Sequence, residues 1–479
     1  MKIADYVARW ADTMPEKTAL LTPGRRWTYR ELEAATVHLG KRFETILAAG
    51  DRIAIVMSPE GEAVAALLAA DRTGHPAALV PPDLPPDEFA TCLVDSGAAL
   101  LIVPPLVRNS VQASTIERLL PHPSIAGIEG WFVWTRAAPT KAAEALPEDA
   151  FIGQLTSGST GGSRLAVRTR CGVAAEIEAV SGRLDLQEND RVLCASSIAH
   201  SYGLIGGVLA PLRAGAEIAL LSDRRRAPSV AESFRPSIIF GLAGTYRATL
   251  DHPAAAPGLS AVHLALSAGA PLPDDLFTAF LDRFGLVIHQ DYGTTETGTI
   301  AIDAEGEASP KRLGTTLPHV TVRLEPPTDI PLEPGEQGEV QIRSVAVACG
   351  YLVSAKLQAC TDDAGWYHTM DAASFDRDGR LWFGHRLRKS IRIGRRAVRP
   401  EAVEHVIAAL PGVDEVVVVP AGDEGAPSLR AVVVAPALDA EAIRRWCRRH
   451  LPVDQVPARV ELRDELPRSP AGKVLQRYL

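Results

Sequence analysis

The alternation of strand-like and helix-like segments constrains the fold of this chain more than any other feature. Residues 52–57 form a short run of β-branched and apolar residues, and helical spacing of apolar residues follows over 60–70. Residues 77–80 and 99–103 repeat the strand pattern on either side of a second helical segment, 86–96. Strands separated by helices of this length predict a parallel sheet with helical crossovers.

Residues 28–31 read Thr-Tyr-Arg-Glu, which predicts a capping box at the start of a helix. The alternation of strands and helices recurs from residue 191 to residue 290, with one helix expected over 203–213, which predicts a second α/β layer. Between residues 312 and 353, short alternating runs among Pro and Gly predict a small antiparallel sheet or barrel. A compact α+β pattern follows residue 384. We therefore predict an α/β protein, in which a large N-terminal domain of two α/β subdomains and a small β-barrel-like subdomain precedes a small, mobile α+β C-terminal domain.

Composition excludes several classes of protein. The 479 residues are 46% hydrophobic and 23% charged, which is typical of a globular chain and not of a disordered one. The net charge of −8 argues against general nucleic-acid binding, which needs a basic surface. No apolar run approaches the length of a membrane span, and no signal peptide is expected. The six cysteines contain no C-x-x-C pair, which disfavours a zinc site or a disulfide framework and is typical of a reducing cytoplasm.

A loop rich in glycine and hydroxyl residues follows the strand-like segment 151–155. Residues 156–163 read Thr-Ser-Gly-Ser-Thr-Gly-Gly-Ser. Glycines let backbone N–H groups approach an anion closely and hydroxyls add neutral donors, so the loop is suited to phosphate. It has neither the G-K-[ST] ending of a Walker A loop nor the G-x-S-x-G pattern of a nucleophile elbow. A flexible linker is the alternative interpretation.

Three further motifs carry side chains that suit a nucleotide. Residues 291–298 read Asp-Tyr-Gly-Thr-Thr-Glu-Thr-Gly, and a tight turn there would present a hydroxyl and a carboxylate to phosphate and Mg²⁺. Residues 367–371 read Tyr-His-Thr-Met-Asp, and Asp371 could accept the hydroxyls of a ribose. Lys473 follows Gly472 near the C-terminus. Taken singly, these motifs have ordinary alternatives: a polar turn, a hairpin corner and a solvated surface lysine.

In this order and spacing, the four motifs resemble the adenylate-forming superfamily, which includes acyl- and aryl-CoA synthetases, luciferases and the adenylation domains of peptide synthetases. The resemblance extends from about residue 5 to residue 479. It implies a cytoplasmic ligase that uses ATP and Mg²⁺ to convert a carboxylic acid into an acyl-AMP. It also implies transfer of the acyl group to a thiol, with CoA as the expected acceptor, by a monomer or a homodimer.

By this resemblance, the glycine-rich loop would hold the β- and γ-phosphates of ATP. Tyr292 would stack on the adenine, and Gly269 and Ala270 would line the base. Thr295 would contact the α-phosphate, and Glu296 would bind Mg²⁺. The predicted phosphate-loop residues are Thr156, Ser157, Gly158, Ser159, Thr160 and Gly161.

The resemblance assigns four more residues. Asp371 would bind the ribose, and Arg386 would close on ribose or phosphate. Lys473 would contact the carboxylate and the α-phosphate, where negative charge gathers in the transition state. His200 would border the acid pocket, although a hydrogen-bonded structural histidine is the alternative. The predicted catalytic residues are therefore Lys473, Thr295, Glu296 and His200.

The resemblance also implies two domains that rotate relative to each other between adenylation and thioester formation, with a loop that absorbs the backbone change. We expect a large domain over 1–385, a hinge over 386–389 with Arg388 at the position of the family's hinge residue, and a small domain over 390–479 that carries Lys473.

Three residues depart from the family's usual pattern. Ser163 and Arg164 stand where Pro and Lys are usual, and Met370 stands where Gly commonly precedes the ribose-binding aspartate. Arginine keeps the positive charge of lysine but is not interchangeable with it at a phosphate. These departures leave open a nucleotide-binding protein that has lost catalysis.

The distribution of charged residues indicates which class of carboxylic acid and which class of acyl acceptor to expect. Amino-acid-activating relatives place an Asp near His200 to pair with the α-amine, and the segment between Cys194 and Arg213 has none. We therefore expect an aryl or acyl acid without a charged amine. Seven basic residues between 385 and 399 would attract the phosphates of CoA or the acidic helices of a carrier protein. A phosphopantetheine carrier or an amine is the alternative acceptor.

Overall fold

The computed structural model describes residues 2–104, 124–125, 132–135, 144–156, 164–221, 223–252, 255–304, 309–326, 332, 335–387, 391–393, 396–398, 400–421 and 428–467. Several predicted site residues lie outside these ranges. They are Ser157, Gly158, Ser159, Thr160 and Gly161 of the phosphate loop, the hinge residue Arg388, and Lys473.

Helices occupy every segment of the first 290 residues for which helical spacing was predicted. The α-helices are α1 (Ala4–Thr13), α2 (Tyr29–Ile46), α3 (Gly61–Thr73), α4 (Pro86–Ser96), α5 (Arg170–Arg183), α6 (Ala210–Ala214), α7 (Ala227–Phe234), α8 (Ala243–Asp251), α9 (Ala255–Leu259), α10 (Asp274–Phe284), α11 (Pro400–Ala408) and α12 (Ala440–His450). A π-helix spans Tyr202–Leu209, and short 3₁₀ helices span Arg224–Arg226 and Val453–Gln455.

The strands follow the same chain order. They are β1 (Thr18–Leu21), β2 (Arg26–Thr28), β3 (Ile53–Val56), β4 (Ala77–Val80), β5 (Leu100–Val103), β6 (Ser124–Ile125), β7 (Phe132–Thr135), β8 (Ala150–Thr156), β9 (Arg164–Thr169), β10 (Arg191–Cys194), β11 (Glu217–Leu220), β12 (Ile238–Gly241), β13 (Leu264–Ala268), β14 (Ile288–Thr294), β15 (Gly298–Ile302), β16 (Arg312–Thr316), β17 (Val320–Glu325), β18 (Gly338–Ser344), β19 (Gly350–Val353), β20 (Lys356–Gln358), β21 (Tyr367–Phe375), β22 (Leu381–Arg386), β23 (Ile391–Ile393), β24 (Arg396–Val398), β25 (Glu415–Ala421), β26 (Ser428–Val434) and β27 (Arg459–Leu462).

The first predicted α/β layer is a nine-stranded sheet in the order β20-β19-β9-β8-β4-β3-β5-β7-β6. Its centre is parallel, because β3 pairs with β4 and β5, and β4 pairs with β8, in parallel registers. The capping box predicted at the start of α2 is present: the Thr28 side chain accepts from the Glu31 N–H, and the Glu31 carboxylate accepts from the Thr28 N–H. The predicted α/β class is confirmed.

The second layer is a thirteen-stranded sheet in the order β17-β18-β21-β22-β16-β15-β14-β13-β12-β10-β11-β1-β2. The strands β11, β10, β12, β13 and β14 pair in parallel, so their carboxyl ends lie at one edge of the sheet. One buried apolar cluster includes Ile55 and Phe151 of the first sheet together with Phe240 and Leu266 of the second. The two sheets therefore share a core. The antiparallel strands predicted between residues 312 and 353 extend the two sheets, since β16, β17 and β18 join the second and β19 and β20 join the first.

The chain divides into two compact units, which meet in sequence between Gly384 and His385, and the smaller unit also takes in Met370–Ala372. Beyond residue 400, the smaller unit packs α11 and α12 with the three-stranded sheet β25-β26-β27 around an apolar cluster that includes Val403, Ile443 and Cys447. All six cysteines are free. Within the part of the chain that the structure describes, no helix is both long enough and apolar enough to cross a membrane.

Candidate active site

The carboxyl ends of β12, β13 and β14 gather three of the segments that the sequence singled out. Parallel pairing aligns Gly241 with Ser267, and Ala268 with Asp291, so the loop that begins at Gly269 lies beside the residue that precedes Tyr292. The Tyr202 hydroxyl donates to the Leu266 carbonyl at 2.7 Å, which fixes the start of the π-helix against β13. In open α/β sheets this edge is where ligands bind.

The backbone of the loop after β13 allows a ligand to approach closely. Gly269 has a φ of +81°, which glycine adopts without steric cost, and a Cβ placed there would meet no atom within 4 Å. Gly269 and Ala270 are both exposed. These two predicted adenine-side residues therefore present open backbone at the carboxyl edge of the sheet.

The turn between β14 and β15 holds the predicted phosphate and magnesium residues. Thr295 is half-buried, and Glu296 is only 8% exposed. The Tyr351 hydroxyl donates to Oε1 of Glu296 at 2.7 Å, and the Tyr367 hydroxyl also hydrogen-bonds with this carboxylate. Burial and the neighbouring Glu296 raise the pKa of Tyr351 and of Tyr367 well above their usual values, so both phenols remain donors. Tyr292, at the start of the turn segment, is buried and its hydroxyl lies 3.4 Å from Oγ1 of Thr369.

Arg164, one of the departures from the family pattern, lies against the ring of the tyrosine that donates to the Glu296 carboxylate. It pairs in register with Thr156, the last residue of β8, and its guanidinium lies 5.2 Å from the centre of the Tyr351 ring. A planar guanidinium stacks on an aromatic face, which an ammonium group does less well. Arg164 is therefore linked to Glu296 through the Tyr351 side chain, a contact that the sequence did not reveal.

A buried ion pair lies beneath the turn. Arg168 on β9 and Glu176 on α5 pair with both side chains fully buried. Arg168 also donates to the Ser201 hydroxyl at 3.0 Å and to the Ala346 carbonyl at 3.1 Å, and Glu176 accepts from the Thr299 N–H at 2.7 Å. The pair thus ties the His200 segment to the strand that follows the Glu296 turn.

Gly298 permits this arrangement. Its φ is +68°, and a Cβ at this position would overlap the Glu176 carboxylate. Only a residue without a side chain lets the turn approach the buried acid so closely.

Asp371, the predicted ribose ligand, forms an ion pair with Arg386. Nη1 of Arg386 lies 2.6 Å from Oδ1 of Asp371, whose side chain is 5% exposed while that of Arg386 is 52% exposed. Met370 has a φ of +60°, in the left-handed region that costs a residue with a side chain about 1–2 kcal/mol. Its carbonyl accepts from the Leu387 N–H at 2.7 Å. Met370 therefore places a side chain in a conformation that glycine adopts without cost, directly before Asp371.

His200 lies in a short turn just before the π-helix. The buried Gln154 of β8 donates to the carbonyl of Ala199 at 3.1 Å, which holds this turn against the strand that precedes the predicted phosphate loop. The His200 side chain remains accessible to solvent, yet the chain packed around it excludes enough water to lower its pKa from 6.5, with the Asp83 carboxylate acting in the opposite direction. An accessible imidazole held mainly neutral is suited to line a recess.

The side chains present fit Mg²⁺ together with a nucleotide. Mg²⁺ is usually held by one or two carboxylates, with phosphate oxygens and water completing its shell. Glu296 supplies one buried carboxylate on a turn that also carries the Thr295 hydroxyl. Among the described residues no group of three or more His, Cys, Asp or Glu side chains is arranged to hold a metal ion, so the remaining ligands would come from phosphate and water.

Comparison with known proteins agrees with this geometry. The AMP-binding enzyme family matches residues 7–352, and the AMP-binding enzyme C-terminal domain matches residues 402–473. The chain belongs to the AMP-binding enzymes. The adenylate-forming resemblance is thereby confirmed, and the protein is an AMP-forming acid–thiol ligase that uses ATP and Mg²⁺.

Among curated relatives of this AMP-binding enzyme is a feruloyl-CoA synthase of Amycolatopsis sp, 30% identical over 99% of this chain and 97% of that protein. Another is a 3-hydroxybenzoate–CoA/4-hydroxybenzoate–CoA ligase of Thauera aromatica, 28% identical over 98% of this chain and 94% of the relative. The fold is also similar to that of ATP-bound MatB from Rhodopseudomonas palustris, with a TM-score of 0.75 and 24% identity over 100% of this chain and 98% of that one.

Proposed function

We propose that this AMP-binding enzyme activates an aromatic carboxylic acid as its acyl-AMP and transfers the acyl group to CoA. The observation that carries the proposal is the buried Glu296 carboxylate, held by the Tyr351 hydroxyl on the turn that follows Tyr292. A carboxylate held in one orientation can bind a metal ion that also contacts the phosphates of a nucleotide. The aromatic class of acid is supported by the two curated relatives, which are named for feruloyl and hydroxybenzoate substrates.

The chemistry requires two displacements. A carboxylate oxygen of the acid attacks the α-phosphorus of ATP, and the bond to pyrophosphate breaks. The thiol of CoA then attacks the carbonyl carbon and loses its proton, and AMP leaves with the oxygen that the acid contributed. Glu296 would hold Mg²⁺, which supplies positive charge to the phosphate oxygens.

The chain's own residues would position the reactants. Thr295 would donate to the α-phosphate, and Lys473 would contact both the attacking carboxylate and the α-phosphate. Asp371, oriented by Arg386, would accept the ribose hydroxyls. Preorganised donors of this kind act where charge develops and need no covalent intermediate with the protein.

The function is tested by acid-dependent exchange of labelled pyrophosphate into ATP over a panel of aromatic, fatty and hydroxy acids. We expect exchange with aromatic acids, and a decrease of about 10²–10³-fold for Lys473→Ala, because one charge-stabilising contact is removed. Lys41→Ala, on the exposed face of α2, is the matched control and should exchange like the wild type.

The acceptor is tested by offering CoA, a phosphopantetheine carrier protein or an amine to the preformed acyl-AMP. We expect AMP release to be fastest with CoA. Preference for a carrier or an amine would contradict the proposed acceptor but not the adenylation. Absence of exchange across the whole panel, with Lys473→Ala unchanged, would contradict the adenylation itself.

A further inference from the structure

One buried acid at the carboxyl edge of the second sheet has no role in the proposed chemistry. Asp291 is 6% exposed and precedes Tyr292 on β14. It accepts a side-chain hydrogen bond from Thr299, whereas its Oδ2 atom is buried without a hydrogen-bond partner among the described residues. Leaving such an atom unsatisfied costs free energy, so an unpartnered carboxyl oxygen in a native site calls for an explanation.

The strand register places Asp291 on the face of the second sheet against which the π-helix after His200 packs. Parallel register sets Asp291 next to Ala268, on the sheet face that carries Leu266, because residues two apart on a strand share a face. Leu266 belongs to the same apolar cluster as Leu204 and Ile205 of the π-helix, so this is the face on which the π-helix packs. Tyr202, the first residue of that helix, is close enough to Asp291 for the two side chains to interact electrostatically.

The electrostatic surroundings favour the neutral acid. Burial, and then the ionised Glu176 nearby, raise the pKa of Asp291 to about 8. Arg168 is already paired with Glu176, so the local charge is balanced without an ionised Asp291. A neutral carboxyl group carries one O–H donor, and with Thr299 on one oxygen, the second oxygen is left to bind an acceptor.

We propose that Asp291 is a specificity-determining residue, whose Oδ2 hydrogen-bonds with a hydroxyl substituent on the ring of the aromatic acid. The inference rests on the proposed function and deepens it, since it names one feature of the substrate. A site that hydrogen-bonds a substrate hydroxyl rejects the analogue that lacks it, because the buried partner is then left unpaired. A substrate ammonium group is disfavoured here, since it would require the ionised form of Asp291.

The test compares pairs of aromatic acids that differ by one hydroxyl at the ortho, meta or para position, with methyl- and amino-substituted analogues as further arms. The readout is the ratio of kcat/KM for pyrophosphate exchange within each pair, which does not depend on the fraction of each variant that is folded. We expect the wild type to prefer one hydroxylated isomer by about 10- to 100-fold. Asp291→Leu should lose that preference, mainly through weaker use of the hydroxylated acid, and Asp291→Asn should keep part of it.

Gln290→Leu provides the matched control. Gln290 is the neighbouring residue on β14, is 3% exposed, and also carries a buried side-chain nitrogen without a partner among the described residues, but it lies on the opposite face of the sheet. The Gln290→Leu variant should prefer the hydroxylated acid to the same extent as the wild type. An unchanged preference in Asp291→Leu, or a wild type that favours the amino-substituted or unsubstituted acid, would overturn the inference while leaving the adenylation intact. If no acid supports exchange, the proposed function fails and this inference fails with it.

Discussion

Replacing Glu296 with glutamine is expected to slow acyl-adenylate formation by about 10²–10³-fold, the usual effect of removing one preorganised charge-stabilising group. The amide has nearly the same shape as the carboxylate and can still accept from the Tyr351 hydroxyl, so the turn should keep its conformation. It has no negative charge, however, and neutral amides are poorer ligands for Mg²⁺ than carboxylates. The measurement is acid-dependent pyrophosphate exchange at saturating ATP over a range of Mg²⁺ concentrations.

Two control variants distinguish the effect of the Glu296 charge from the effect of the hydrogen bond that holds this side chain. Tyr351→Phe removes one hydrogen bond to Glu296 but keeps the carboxylate, so the loss should be about tenfold or less. Glu325→Gln, an exposed residue at the end of β17, should leave the rate unchanged. Exchange by Glu296→Gln at the wild-type rate, at every Mg²⁺ concentration, would show that this carboxylate does not hold the metal.

Replacing Glu176 with glutamine is expected to destabilise the larger unit by about 3–5 kcal/mol, since it leaves the buried Arg168 without its counter-charge. The thermal unfolding midpoint should fall by several degrees, as measured by calorimetry. Glutamine can still accept from the Thr299 N–H, so the effect isolates the charge from the hydrogen bond. Adding Arg168→Met should restore part of the lost stability, because it removes the unpaired charge.

Glu178→Gln is the matched control for this prediction. Glu178 lies two residues further along α5 and pairs with Arg213 at the surface, with both side chains more than a third exposed. Exposed pairs contribute at most about 1 kcal/mol, so this variant should unfold close to the wild type. Equal losses in Glu176→Gln and Glu178→Gln, or a double variant less stable than Glu176→Gln alone, would contradict the role assigned to the buried pair.

Much of the fold could be predicted because its signals are local. The apolar runs at β3, β4 and β5 lie within a residue or two of the predicted segments, and the capping box at Thr28 begins α2 as expected. Helix 203–213 was predicted as one regular segment, and the structure instead has a π-helix followed by α6. Periodicity of apolar residues does not distinguish these two forms when the whole segment is buried.

The candidate site could be predicted only in part, because its supporting contacts join distant segments. Arg168 meets Ala346 and Tyr351 meets Glu296 across separations of 178 and 55 residues, and no local pattern indicates such pairs. In the sequence, the one indication for Asp291 is a carboxylate that directly follows a strand-like segment. Its burial and the unpartnered oxygen become evident only when β13, β14 and the π-helix are placed together.

In the central step of the proposed reaction, a mixed anhydride with AMP forms before the thiol reacts. It is tested most directly with an aromatic acid labelled with oxygen-18 in its carboxylate, incubated with the protein, ATP, Mg²⁺ and CoA. The bond changes proposed above predict that the released AMP carries one labelled oxygen, detected by mass spectrometry, and that pyrophosphate is unlabelled. Thioester formation with unlabelled AMP, or with ADP and phosphate as products, would contradict the account.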